Sequence, residues 1–178
     1  RPLKKGDKPG DINIWKLQRT PDGWSEPEPI DELVGFDNLD AQVSVGRSGN
    51  LYFSAQWPGG NGKYDLYTCT YKKGKYSTPR AISGPINSEH SEFAPYVDPE
   101  ERFILFASDR PGGYGAADVY ISRRRGKSWS KPRNLGKAVN TEENETYTSI
   151  SPDNRYLFVV AQRDDETNVY WISTRILK

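Results

Sequence analysis

Apolar positions in this chain gather into short runs, LYFSAQ at 51–56, RFILFASD at 102–109 and RYLFVVAQ at 155–162. Each run follows a turn signal, GRSGN, DPEE or SPDN. Aromatic and branched residues bracketed by Gly, Pro, Asn and Asp predict strands. No stretch carries a helix-like hydrophobic period, so the pattern predicts an all-β chain.

Three more landmarks repeat. DAQVSV, EFAPYV and ETYTSIS begin at Asp40, Glu92 and Glu145. Strand-like runs also open at Asp11, Asp65, Asp118 and Asn168 (DINIWKL, DLYTCTY, DVYISRR, NVYWIST). WSEP, YSTP and WSKP begin at Trp24, Tyr76 and Trp129. The first and third of these sets share separations of 52 and 53 residues. Four short strands in a unit of roughly fifty residues predict the blade of a β-propeller. Counting strands A to D outward from the axis, one blade has A at Asp40–Val45, B at Leu51–Gln56, C at Asp65–Lys72 and D at Tyr76–Ile82. The next starts its strands at Glu92, Arg102, Asp118 and Trp129, and the last at Glu145, Arg155 and Asn168. Only C (Asp11–Leu17) and D (Trp24–Ile30) precede them, after an Arg1–Pro2 pair that matches Arg110–Pro111. The expected blades are therefore 1–35 (partial), 36–88, 89–141 and 142–178 (partial). Two complete and two partial blades do not close a ring. They are expected to form part of a larger, six-bladed propeller, completed by upstream blades or by self-association.

The C–D turns TPDGW, KKGKY and RRGKSW place Gly23, Gly74 and Gly126 where tight hairpins require positive φ. Pro27, Pro79 and Pro132 follow in strand D, where a missing N–H blocks edge pairing. The last of these hairpins has the Ser-x-x-x-Gly-x-x-Trp spacing of a sialidase Asp box, from Ser122 to Trp129, but Arg124 stands where that box has aspartate. Recurrence of the Gly and aromatic in all three hairpins favours a structural reading, with the aromatic covering the blade's outer edge.

Composition narrows the function. Basic and acidic residues number 25 and 24 for a net charge of +1, which gives no field to attract nucleic acid or an anionic membrane. No apolar run is long enough to insert into a membrane. Cys69 is alone, so neither a disulfide framework nor a cysteine zinc site forms within the chain. The absence of methionine suggests a processed or excised piece.

Propeller connectivity puts the B–C and D–A connections on one face and the A–B and C–D turns on the other. The first set is long (WPGGNGKYD, RPGGYGAAD, RDDETN, GFDNLD, GPINSEHSE, GKAVNTEENE) and the second short. Long loops on a rigid scaffold are where recognition is built. That face carries the candidate ligand-binding residues Trp57, Arg110, Tyr114, Arg163, Asn87, His90 and Asn140. Asp40, Glu92 and Glu145 begin the innermost strands and are expected to ring the channel mouth, as acceptors for neighbouring loops or as a cation or ligand site. Ca²⁺ is the one metal or cofactor that oxygen set suggests. Asp109 and Arg110 read as a blade-locking ion pair. Asn144–Thr146 matches a glycosylation sequon by pattern only. A catalytic Ser-His-Asp set would have to use His90, and no Gly-x-Ser-x-Gly elbow is present, so no catalytic residue is assigned.

Ser108–Gly113 (SDRPGG), Ser151–Asn154 (SPDN) and the segment joining them resemble the TolB-like, WD-repeat-like propellers of bacterial envelope proteins. The resemblance spans nearly the whole chain and implies a periplasmic or extracellular location. It implies a non-catalytic module that binds protein or glycan through the long-loop face. The alternative is the propeller portion of a glycoside-active or other hydrolytic enzyme with its catalytic residues outside this chain. SAQWPGG at Ser54–Gly60 departs from SDRPGG, and AQRDDE ends the last strand B, so a strictly repeated site is not implied.

Overall fold

A computed structural model describes residues 14–30, 39–57, 60–163 and 166–178, and for 39–41 the backbone alone. Arg1–Pro2, Asp11, the GFDNLD connection up to Asn38, and Asp164–Asp165 lie outside the described residues.

The first blade contributes β1 (Trp15–Lys16), β2 (Arg19–Thr20), β3 (Gly23–Trp24) and β4 (Glu28–Pro29), in which β1 pairs with β4 and β2 with β3. The second has β5 (Leu39–Val45), β6 (Leu51–Ala55), β7 (Asp65–Cys69), β8 (Tyr71–Lys72), β9 (Lys75–Tyr76) and β10 (Arg80–Ala81), with sheet order β5-β6-β7-β10. The third repeats it with β11 (Glu92–Val97), β12 (Phe103–Ser108), β13 (Asp118–Arg125), β14 (Ser128–Trp129) and β15 (Arg133–Asn134). The fourth has β16 (Glu145–Ile150), β17 (Tyr156–Arg163) and β18 (Glu166–Ser173), all antiparallel.

The expected strands A, B and C are all present from the second blade on. Strand D is not the continuous segment the sequence suggested. It breaks into β9 and β10 around Pro79, and into β14 and β15 around Pro132, because proline offers no donor to the ladder. The serine of each Trp/Tyr-Ser-x-Pro motif bridges the break. Ser77 N–H donates to the Thr70 carbonyl at 2.9 Å, and its Oγ accepts from Thr70 N–H at 3.1 Å. Ser25 does the same with Gln18, and Ser130 with Arg123.

Each inner strand shifts register against its neighbour near its start. Glu92 stands opposite Ser108 and Glu145 opposite Ala161, but the corresponding position opposite Ala55 holds Leu39. The second blade's inner strand has one more residue between this pair and its last pair, so the 52-residue spacing to Asp40 is displaced by one position. Leu39, not Asp40, is the register equivalent of Glu92.

The apolar core lies in the seams between blades. Ile30 from the first blade packs with Leu51, Phe53, Tyr67 and Cys69 from the second. The opposite face of the second blade (Tyr52, Leu66, Ile82, Ile86) packs with Val97, Ile104, Phe106, Tyr120 and Trp129 of the third. Leu105, Val119, Ile121, Leu135 and Val139 of the third meet Leu157, Val159 and Leu177 of the fourth. Strand alternation sends neighbouring residues to different seams. On the fourth blade's far face Val169 and Trp171 are 66% and 65% exposed. After β18 the chain enters a 3-10 turn, Thr174–Leu177, that folds back on the third blade. Arg123 donates to the Leu177 carbonyl and Arg133 to that of Lys178.

Candidate functional site

The long-loop face is organised by two recurring cradles. In the first, the fully buried Glu92 carboxylate accepts from Ser88 N–H (2.9 Å) and Ser88 Oγ (2.6 Å) across its own loop. It also accepts from Ser108 Oγ (3.2 Å) and Arg110 Nη2 (2.8 Å). Arg110 completes the set by donating to the Ile86 carbonyl at 2.6 Å in the preceding blade's outer connection, and its guanidinium lies over the Phe106 and Tyr120 rings. The ion pair expected between Asp109 and Arg110 is instead Glu92–Arg110. Asp109 accepts the Ser91 N–H at 2.7 Å. The fourth blade keeps half of this arrangement. Buried Glu145 accepts from Thr141 N–H (2.8 Å) and Oγ1 (2.6 Å), while Ala161 replaces the serine and Arg163 stacks on Tyr170 at 3.9 Å.

In the second cradle, a buried aspartate at the start of strand C holds the Gly-rich B–C loop. Asp65 Oδ2 accepts from Asn61 and Gly62 N–H, and Asp118 Oδ2 accepts from Tyr114 N–H at 2.8 Å. A Cβ on Gly60 or Gly113 would collide with that Oδ2. A Cβ on Gly62 would strike the His90 carbonyl, and one on Gly115 the Glu143 carbonyl. These loops therefore press backbone to backbone on the next blade's D–A connection. Glu92 N–H donates to the Tyr64 carbonyl and Glu145 N–H to the Ala117 carbonyl, both at 2.8 Å.

The seven candidate binding residues separate on this framework. Asn87 and Asn140 are buried and act as strand substitutes. Each accepts the N–H and donates to the C=O of one residue, Leu66 and Val119 respectively, at 2.8–3.1 Å. Arg110 belongs to the Glu92 cradle. Trp57 is half-buried against Tyr67, with ring centroids 5.7 Å apart. Arg163 lies beside a small cavity lined by Val139, Val159 and Tyr170. His90 is half-exposed with Nε2 3.7 Å from the Glu89 carboxylate. Tyr114 is 42% exposed, with Lys137 Nζ 5.9 Å from its ring centre. Among the described residues no group of three His, Cys, Asp or Glu side chains is placed to hold a metal. The Asp40 side chain lies outside them.

The short-turn face contains a site that the sequence reading left out. Glu101 receives Tyr52 Oη (2.6 Å), Asn50 Nδ2 (3.0 Å), Ser48 Oγ and Arg124 Nη2 (3.2 Å), binding the second blade to the third. Burial pushes the Glu101 carboxyl up, but hydrogen bonds from Ser48, Tyr52 and Asn50 and the Arg124 charge outweigh it and hold it below 4.5. Burial and the Glu101 hydrogen bond push Tyr52 well up, so it remains a donor. Arg124, at the aspartate position of the box-like hairpin, lies 4.2 Å over Trp129. Trp129 is buried in a seam, not laid over an outer edge. The signal for this clamp was present in pieces: an Arg five residues before a Trp occurs at Arg19–Trp24 as well, where the cation is 5.3 Å from the ring centre.

No protein-family model matches the chain, and no curated protein matches it by sequence. Solved structures do. TolB from Acinetobacter baumannii overlays 84% of the chain with a TM-score of 0.57 at 15% identity. A protein of Agrobacterium tumefaciens described as a TolB overlays 93% with a TM-score of 0.58 at 12% identity. The fold is that of a TolB-like β-propeller. The chain spans 33% and 60% of the lengths of those two proteins. The chain also overlays a puromycin-hydrolyzing peptidase of Mycobacterium tuberculosis (TM-score 0.50, 19% identity), over 81% of this chain and 22% of that one.

Proposed function

We propose that this TolB-like segment is a non-catalytic recognition module of the bacterial envelope, periplasmic or extracellular, that binds a protein or glycan ligand through its long-loop face. One observation carries the reading. Tyr114 is an exposed aromatic on a loop fixed by the Asp118 carboxylate and packed, through Gly115, against the next blade. A rigid aromatic gives contact area at low entropic cost, which suits a binding anchor. Lys137 beside it supplies a cation for an acidic or hydroxyl-rich partner. Trp57 occupies the equivalent face one blade earlier and serves as the second anchor. No helix among the described residues is long and apolar enough to cross a membrane.

The test is a glycan array and a displayed peptide library probed with the wild type, Tyr114→Ala and Trp57→Ala. Tyr114→Ala should weaken captured ligands by about tenfold or more, the loss typical of a central aromatic anchor. Binding unchanged in both variants would remove this face from the reading. The peptidase likeness supports a second reading, a propeller portion of a hydrolytic enzyme with its catalytic groups elsewhere. Hydrolysis of aminoacyl or glycosidic substrates by a longer form of the protein tests it.

A further inference from the structure

The two complete seams use the same backbone positions on the short-turn face but fill them differently. Glu101 and Asn154 are equivalent: both donate their N–H to the first residue of the turn, Asp98 or Ser151, and both adopt left-handed φ, 55° and 58°. Arg124 and Thr174 are equivalent as well, with N–H groups donating to the carbonyls of Arg102 and Arg155. In the seam between the second and third blades, the Glu101 carboxylate and the Arg124 guanidinium occupy the space. In the next seam Asn154 and Thr174 are shorter and uncharged. A cavity of about 400 Å³ opens there, lined by Asp98, Arg102, Arg123, Asn154, Thr174 and Leu177.

The side-chain charges left in that cavity, Arg123 and the further lining residue Lys178, are positive. Arg102 and Asp98 neutralise one another in a two-bond pair of 2.8 and 2.7 Å. Arg123 donates one N–H to the Leu177 carbonyl. Among the described residues its Nε and Nη1 find no acceptor and its guanidinium pairs with no carboxylate. The Thr174 hydroxyl and Asn154 amide stand nearby as polar groups, and Phe103 and Ile150 add apolar wall. The preceding seam shows what satisfies such a site, a carboxylate that meets a guanidinium of its own blade and polar side chains of the blade before it. A guanidinium fork matches a carboxylate with two parallel bonds.

We propose that the seam between the third and fourth blades binds a small carboxylate ligand, whose carboxylate engages Arg123 as the Glu101 side chain engages Arg124 one seam earlier. The site is on the opposite face from Tyr114 and stands independently of the recognition role.

The probe is succinate, titrated into the full 178-residue chain and followed by backbone amide NMR, with inorganic phosphate as the competing anion. Succinate is expected to shift amides at 98–103, 123, 150–154 and 174–177. Arg123→Gln should weaken it by about tenfold or more, the effect of losing a charged hydrogen bond. Asn154→Glu installs the carboxylate internally. It should raise the melting temperature and abolish succinate binding, and since Glu101 already adopts the same φ, the variant retains its fold. No shifts in this seam, equal binding by both variants, or phosphate binding there more tightly than succinate would each overturn the proposal.

Discussion

Glu92 and Arg110 are the residues on which the inner end of the third blade turns. Their pair is buried, and removing one member strands the other charge in a medium that does not solvate it. Arg110→Met should therefore cost about 3–5 kcal/mol, read from urea unfolding. Glu101 makes the pH-dependent contribution. Its carboxyl and that of Asp98 lie below their ordinary values of 4.5 and 3.8; for Asp98, burial raises the value but the Arg102 hydrogen bonds and charge lower it further. A depressed folded pKa gives stabilisation that is full above the ordinary value and disappears as pH falls through the folded one. Glu101→Gln should lower stability by about 1.5–3 kcal/mol at neutral pH. That deficit should be full above about pH 4.5 and shrink as the pH falls below it through the depressed folded value. The inner-strand positions of Glu92 and Glu145 were legible from spacing. Their separate cradles were not, because the partners Ser88, Ser108 and Arg110 stand 4, 16 and 18 residues from Glu92. The buried roles of Asn87 and Asn140 were hidden for the same reason, since an asparagine in a loop and one replacing a strand look identical in sequence.

The outer strand shows what an element-level reading captures and what it misses. Pro79 and Pro132 were correctly placed at the blade edge, but the break they impose needed the serine before them to keep the ladder joined. Ser130→Ala leaves the Arg123 N–H without its side-chain acceptor and should cost about 1–3 kcal/mol by thermal melting. Glycines at the loop elements act through space more than through turn geometry. Gly113→Ala drives a methyl into Asp118 Oδ2 and should destabilise by at least about 1–3 kcal/mol, whereas Gly74→Ala meets no atom and suffers only the strain of its positive φ. Strand order and hairpins followed from period alone. The extra residue in β5 did not, because one inserted position in a bulge leaves the 52-residue spacing unremarkable.

At the scale of the molecule, apolar residues hold blade to blade. Ile121 and Trp171 occupy equivalent places on successive blades, one buried in a seam and the other on a face that packs against no further blade among the described residues. Ile121→Ala should cost about 2–5 kcal/mol and Trp171→Ala less than about 1, compared by denaturant midpoint. Because no blade owns its hydrophobic mass, cohesion here is shared property, with each sheet solid only while two neighbours flank it. Among the described residues only the third blade is flanked on both sides by sheets of three strands or more, so it is the keystone, and loss of order runs inward from either end. Amide protons on β12 should accordingly outlast all others in deuterium, with those of β3 and β18 vanishing first.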